Sequence, residues 1–310
     1  MRNFKNIIFV LIVIVFLLQM FVMKQDAKKQ EISQKPLVAV STFALYDISK
    51  HIAQDNVNVF MILPFGVSPH SFEPTPKLMI KINKSDLVIY SGAGLEPWIK
   101  GFDFKNKVIN MSEHVDLKES NLKKHYHHHE GDLQKNINPH YWLDMQNMIK
   151  ATNVITDELI KISPINKDLY NKNRNSYVKM LNKLDADYKS KLSMCKLDTI
   201  IVNHNAYSYL AQRYDFHTIA LTELSPEAEP SATKMIELIK QVKKHNVSTV
   251  FFESFASDKA IKNIASEAKV SVEVFQPLGN ITADETKQNL SFEDIMRINL
   301  EKLSKAMKCK

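Results

Sequence analysis

Between Pro36 and Lys310 the sequence alternates short β-rich runs with helical-period segments, breaks off, and then resumes the same alternation. In the first half PLVAVST, VNVFMIL, DLVIYSG and KVINMS read as strands. FALYDISKHIAQDN, TPKLMIKINKS and LEPWIKGF read as the helices between them. Strands joined through helices instead of tight turns lie parallel, so the expectation is a parallel sheet with crossover helices. From Met145 to Leu192 no strand interrupts the chain. Met148, Ile149, Val154, Ile155, Leu159 and Ile160 recur at helical spacing, Ser163-Pro164 punctuates them, and a second helix runs through Tyr170, Tyr177, Leu181, Leu184 and Tyr188. The rhythm then returns, with TIIVNH, FHTIAL, VSTVFFES and VSVEVFQPLG as strands. AYSYLAQRY, SATKMIELIKQVKKHN and SDKAIKNIASEAK are the helices among them, and a last helix covers Ser291 to Met307. The expected architecture is α/β, with two lobes on mostly parallel sheets joined by a long helix. Residues 36–163 form the first lobe, 164–193 the connecting helix and 194–310 the second lobe.

Ahead of this body, Arg2 and Lys5 precede the apolar run Ile7 to Met23, and the polar KQDAKKQEISQK follows. A positive start before a long apolar stretch is an export signal. The run is also long enough for an uncleaved membrane anchor through residues 7–23, and no small-x-small cleavage site precedes Lys24. No cysteine ends the run, so lipid anchoring is not supported. Either way residues 1–35 stand apart from the fold, and the folded body is expected to be periplasmic or otherwise extracytoplasmic. In an oxidising compartment the even pair Cys195 and Cys309 can form a single disulfide, with two free thiols as the alternative. The net charge of +7 raises nucleic acid as a partner. The lysines are spread along amphipathic helices, however, with no basic stripe interleaved with aromatics, which argues against that class.

Histidine is concentrated in KKHYHHHEGDLQKNINPHYWLD, Lys123 to Asp144, which holds His125, His127, His128 and His129 and then His140. The run is internal and precedes a patterned helix, so it is no purification tag. In open α/β sheets, ligands collect beyond the carboxyl ends of the strands. His70 follows VNVFMIL, His204 closes TIIVNH, and His140 lies just before a helix. Three histidines from three separate loops suit a tetrahedral zinc site with one remaining position. A lone histidine at a strand end is more often a packed or exposed residue than a ligand. His51, His114, His217 and His245 are assigned to that class. Spacing by itself does not decide between a metal site and three unrelated histidines.

The phrases GVSPHSFEPTP, GAGLEPWI, NPHYWLD, NHNAYSYLAQRY, LSPEAEPS, VFFES and QPLG occur in this order. Together they closely resemble the ZnuA/TroA-like family, the metal-binding solute receptors of ABC importers, over Pro36 to Lys310. The resemblance implies two β/α lobes bridged by one rigid helix and a metal held in the cleft between them. It implies His70, His140 and His204 as the ligands, and a membrane permease as the partner of a monomeric receptor. In members that resemble manganese receptors the residue matching His204 is typically acidic. Histidine there belongs with the zinc type, because hard Mn²⁺ favours carboxylate oxygen whereas imidazole suits Zn²⁺. A His-rich loop before His140 is typical of the zinc type as well.

One position departs from the family pattern. An aspartate often precedes PLG as a fourth ligand, but this chain has Gln276 there. A neutral amide is a poor Zn²⁺ ligand, so water or a loop histidine is expected in that place. Glu253 in VFFES, and Glu227 or Glu229 in SPEAEP, are candidates to hold an imidazole in the right tautomer, or else plain surface or capping carboxylates. His125, His127, His128 and His129, within residues 123–132, read as a loop that binds zinc weakly and passes it inward. A solvated loop with no role is the alternative.

The function expected is therefore capture of Zn²⁺ outside the cytoplasm and delivery to an ABC permease. A manganese or iron receptor of the same family is the near alternative. A three-histidine zinc hydrolase is the alternative of another class, since three histidines and an open position also describe a hydrolytic site. The sequence has no HExxH, no G-x-S-x-G and no general base adjacent to a ligand histidine, so an enzyme is not expected. A surface adhesin would need a partner-binding patch that the sequence does not display.

Overall fold

The computed structural model describes residues 19–20, 35–119, 137–222, 230–254 and 258–310. In the first half β1 (Leu37–Val40), α1 (Phe43–Ala53), β2 (Asn58–Met61), α2 (Pro76–Asn83), β3 (Leu87–Tyr90) and β4 (Lys107–Asn110) follow one another. Their strands pair in the order β2-β1-β3-β4, all parallel. LEPWIKGF, expected as a helix, yields only a 3-10 turn at Pro97–Gly101. Pro97 lacks a donor and Gly101 costs backbone entropy, which leaves too few residues between them for an α-helix. The antiparallel pair β5 (Lys118–Glu119) and β6 (Ile137–Asn138) flanks residues 120–136. Two-residue strands leave no alternation to read, so neither is visible in the sequence.

Two helices come next, α3 (Met145–Ile162) and α4 (Lys167–Leu192), separated by a turn at Pro164–Asn166. The second half contains β7 (Thr199–His204), α5 (Ser208–Arg213), β8 (His217–Thr222), α6 (Ala232–Lys244) and β9 (Thr249–Phe252). It closes with α7 (Lys259–Ala268), β10 (Ser271–Val274), α8 (Ala283–Lys287) and α9 (Phe292–Ala306). This sheet is also all parallel, in the order β10-β9-β7-β8. Local signals fix the helix starts. Thr75, Asp144 and Ser231 each accept a first-turn N–H, and Thr282 with Glu285 and Ser291 with Asp294 form capping boxes.

Alternation along the strands sorts side chains into layers. Val38 and Val40 enter one core and Ala39 the opposite one; Ile200 and Val202 likewise part from Ile201. The inner faces of both sheets share one continuous core with α1, α3, α4 and α9, while each outer face has its own cluster, under α2 on the first sheet and under α6 and α7 on the second. Helix α4 lies in the shared core through Tyr170, Tyr177, Leu181, Leu184 and Tyr188. Its polar atoms tie it to both halves. Tyr177 Oη donates to Asp47 Oδ2 on α1 (2.6 Å), and Tyr188 Oη donates to the carbonyl of Met296 on α9 (2.6 Å). Asp47 Oδ1 in turn accepts the N–H of Phe292, the first residue of α9 (3.1 Å).

Cys195 and Cys309 are joined by a disulfide, which fastens the end of α9 to the segment leading into β7. Among the described residues no helix is long and apolar enough to cross a membrane. The apolar run 7–23 lies outside them apart from residues 19–20.

Candidate metal centre

His204 is the last residue of β7, on the same face as Val202 and therefore turned toward the shared core between the sheets. His140 follows β6 and opens the turn Tyr141–Leu143 that leads into α3. His70 stands in the long connection after β2, where its backbone N–H meets Ser68 Oγ at 3.3 Å. That connection is held from the second half of the chain. Asn280 Nδ2 donates to the carbonyls of Pro64 and Val67 (2.6 and 2.7 Å), and Gly66 N–H donates to Ile281 (2.9 Å).

The three imidazoles converge. His140 Nε2 lies 3.2 Å from His70 Nε2 and 3.3 Å from His204 Nε2, and one ligand nitrogen from each lies within 4.8 Å of the others. At a Zn–N distance of about 2.0–2.1 Å, tetrahedral ligand atoms stand roughly 3.3 Å apart, so two of the separations already match. The space they enclose is about 10 Å³, lined also by Ser68, Pro69, Trp142, Glu253, Pro277 and Gly279. That is room for about one water-sized species. His140 and His204 are buried and His70 half-buried, and this is the only such cluster among the described residues.

The groups behind two rings select the tautomer. Asn138 Oδ1 stands 2.7 Å from His140 Nδ1, and the buried carboxylate of Glu253 pairs with His204 Nδ1. Both partners accept, so each Nδ1 carries the proton and each Nε2 keeps a lone pair for the cleft. Burial lowers the pKa of His140 well below its ordinary value, and the neighbouring His204 and His70 lower it further. Neutral imidazole is the form that binds a metal. Trp142, fully buried, packs edge-on against the His140 ring at 5.3 Å and donates Nε1–H to the carbonyl of Pro277 (2.6 Å).

Gln276, singled out as the departure, is not among the residues lining this space. Its Nε2 donates to Ser254 Oγ (2.7 Å) and Glu285 Oε1 (2.6 Å). His51, His114, His217 and His245 lie outside the cluster; His51 sits against Asp47 and His245 against Thr199. His125, His127, His128, His129, Glu227 and Glu229 fall outside the described residues. Sequence reasoning missed Asn138, Trp142 and Asn280. For the first two a signal existed, since both stand in NPHYWLD two residues from His140. For Asn280 there was none, because it acts on a carbonyl 213 residues away.

The zinc-bound ZnuA-like domain of AdcA from Streptococcus pneumoniae superposes with a TM-score of 0.74 at 29% identity, over 88% of this chain and 99% of that one. The high-affinity zinc uptake system protein ZnuA of Bacillus subtilis (strain 168) is 32% identical over 277 residues, 87% of either chain. The zinc-binding lipoprotein AdcA of Streptococcus pneumoniae (strain ATCC BAA-255 / R6) is 32% identical over 274 residues; the match covers 86% of this chain but only 54% of that protein, about half its length. The family model described as ZnuA, zinc-uptake complex component A, periplasmic, matches residues 38–306, and the chain belongs to that family.

Proposed function

We propose that this protein is an extracytoplasmic receptor that captures Zn²⁺ at His70, His140 and His204 and hands it to an ABC permease for uptake. One observation carries the reading: three imidazole nitrogens converge within 4.8 Å of one another, two of their separations at tetrahedral spacing, around a space for one small species. Three nitrogen donors with no carboxylate among them favour Zn²⁺ over Mn²⁺. The carboxylate of Glu253 supplies negative charge on the far side of the His204 ring from the ion, which partly offsets an otherwise neutral ligand set. Gln276 does not line the space, which leaves the fourth position to water or a loop histidine. The receptor works as a monomer, held outside the cytoplasm by residues 7–23 either as a cleaved export signal or as a retained anchor. His125, His127, His128 and His129 act as a weak collecting loop.

Metal analysis of protein purified without added metal tests the reading, followed by competition of Zn²⁺ against Mn²⁺ for the single tight site. Zinc is expected to be retained and to displace manganese. A site that prefers manganese, or no tight site at all, would overturn it. Removing residues 123–132 should abolish only the weak zinc equivalents.

A further inference from the structure

We propose that Asn138 is a positioning residue for metal capture, whose one side-chain amide fixes both the tautomer of His140 and the distance between His140 and His204. The inference rests on the zinc-receptor reading for its functional consequence, but not for its chemistry. Asn138 is fully buried. Its Nδ2 lies 2.8 Å from the carbonyl of Asn205 and 2.9 Å from Ser208 Oγ. A carbonyl can only accept, so the NH₂ end must face Asn205 and the amide cannot be turned round. Oδ1 is thereby aimed at His140, where it accepts from the backbone N–H (3.0 Å) and from ring Nδ1 (2.7 Å). An amide oxygen cannot donate, so the ring proton is held on Nδ1 and the lone pair on Nε2 faces the other two histidines.

This control matters because a free histidine side chain in water prefers the opposite tautomer, with the proton on Nε2. Left alone, His140 would present that proton to the ion. The second role follows from the other end of the amide. Asn205 directly follows His204, and Ser208 opens α5. Asn138 therefore bonds the loop of one ligand to the loop of another, and its own carbonyl accepts from Tyr209 Oη on α5 (2.9 Å). His204 is oriented by a carboxylate, which raises the basicity of its ring. His140 is oriented by a neutral amide, which sets geometry without adding charge.

The test uses the metal-free full chain labelled with ¹⁵N-histidine, the His140 signals being assigned with a His140→Gln variant. Long-range ¹H–¹⁵N correlation spectra report the tautomer, and chelator competition reports zinc affinity. Wild type should show His140 with Nδ1 protonated. Asn138→Ala should shift His140 toward the Nε2-protonated form and weaken zinc binding about 10–100-fold. Asn138→Asp keeps an acceptor for Nδ1 while losing the donors to Asn205 and Ser208, so it should retain the tautomer and lie between the two in affinity. Unchanged tautomer in Asn138→Ala overturns the proposal, whether or not affinity falls. If the alanine variant does not fold, Asn138→Asp decides by the same spectrum, and a lost Nδ1 proton there overturns it. Absence of tight zinc binding in wild type would refute the receptor reading, while the metal-free spectra would still judge Asn138.

Discussion

The two sheets share a topology and differ in what they place at its switch point. Numbered within its own half, each runs second-first-third-fourth, all parallel, so each has a crevice beyond the carboxyl ends of its first and third strands. A buried glutamate occupies both crevices. In the first half Glu96 accepts from Ser41 Oγ and from the N–H groups of Ser91 (2.7 Å) and Gly92 (2.9 Å), closing the gap between β1 and β3. Gly92 has φ +81°, and a Cβ there would strike Asn110 and Ser112. In the second half Glu253 follows β9 and meets His204 at the end of β7. One carboxylate is saturated by donors and serves the fold. The other faces a ring whose far nitrogen looks into the cleft. Matching topology supplies equivalent places, and the side chain opposite the glutamate decides whether a place is structural or a site.

The largest effect that tests this contrast is on the cleft. Alanine at His70, His140 or His204 should each weaken zinc binding by more than the roughly 100-fold typical of losing an outer partner, while leaving the fold intact. Competition titration checks it, and wild-type affinity in any one variant would remove that residue from the site. The disulfide comes next, because only the second half carries one. Closing a loop over a separation of 114 residues is worth up to about 5 kcal/mol in chain-entropy terms. Replacing both Cys195 and Cys309 with alanine should therefore lower stability in urea by several kcal/mol.

The two glutamates then separate stability from binding. Glu96→Ala leaves two buried donors, Ser41 Oγ–H and Gly92 N–H, without a partner, while Ser91 N–H keeps Ser41 Oγ (3.0 Å); at about 1–3 kcal/mol each, stability should fall by at least about 2 kcal/mol with zinc affinity unchanged. Glu253→Gln should do the reverse, costing about 10–100-fold in zinc affinity with little change in the urea midpoint. If both variants altered the same quantity, the division between a structural and a functional crevice would be wrong.

The smallest effect is a pair of opposed pH dependences in the metal-free protein. Burial holds the pKa of His140 below its ordinary 6.5, so the unfolded chain takes up a proton there that the folded chain resists. Its contribution makes stability fall as pH drops below about 6.5. His51, on α1 beside Asp47, has a raised pKa, caused first by its hydrogen bond to that carboxylate. Its stabilisation is present below about 6.5 and is lost as pH climbs through the raised value. Urea midpoints between about pH 5 and 8 should lose their acid limb in His140→Gln and part of their alkaline limb in His51→Gln.

Much of the fold was legible because its causes are local. Short β-rich runs marked β1 and β7, and helical-period segments beginning at Ser231 and Ser291 marked α6 and α9. The three histidines could be proposed because strand ends are visible in sequence and parallel sheets gather ligands there. The two-residue strands β5 and β6 could not be read, having too few residues to show a period. Neither could the choice of carboxylate beside His204. Glu253 and Glu227 looked alike as candidates along the chain. Only the pairing of β7 with β9, with Val202 opposite Phe251, sets His204 beside Glu253. Strand order is a choice among distant segments, settled by packing of the shared core. The sequence alone thus determined most of the elements and the kind of atoms offered to a metal. Tertiary structure decided which of those atoms converge and which proton His140 and His204 keep, because both depend on contacts between residues far apart in the chain, Asn205 orienting the Asn138 amide and Glu253 meeting His204.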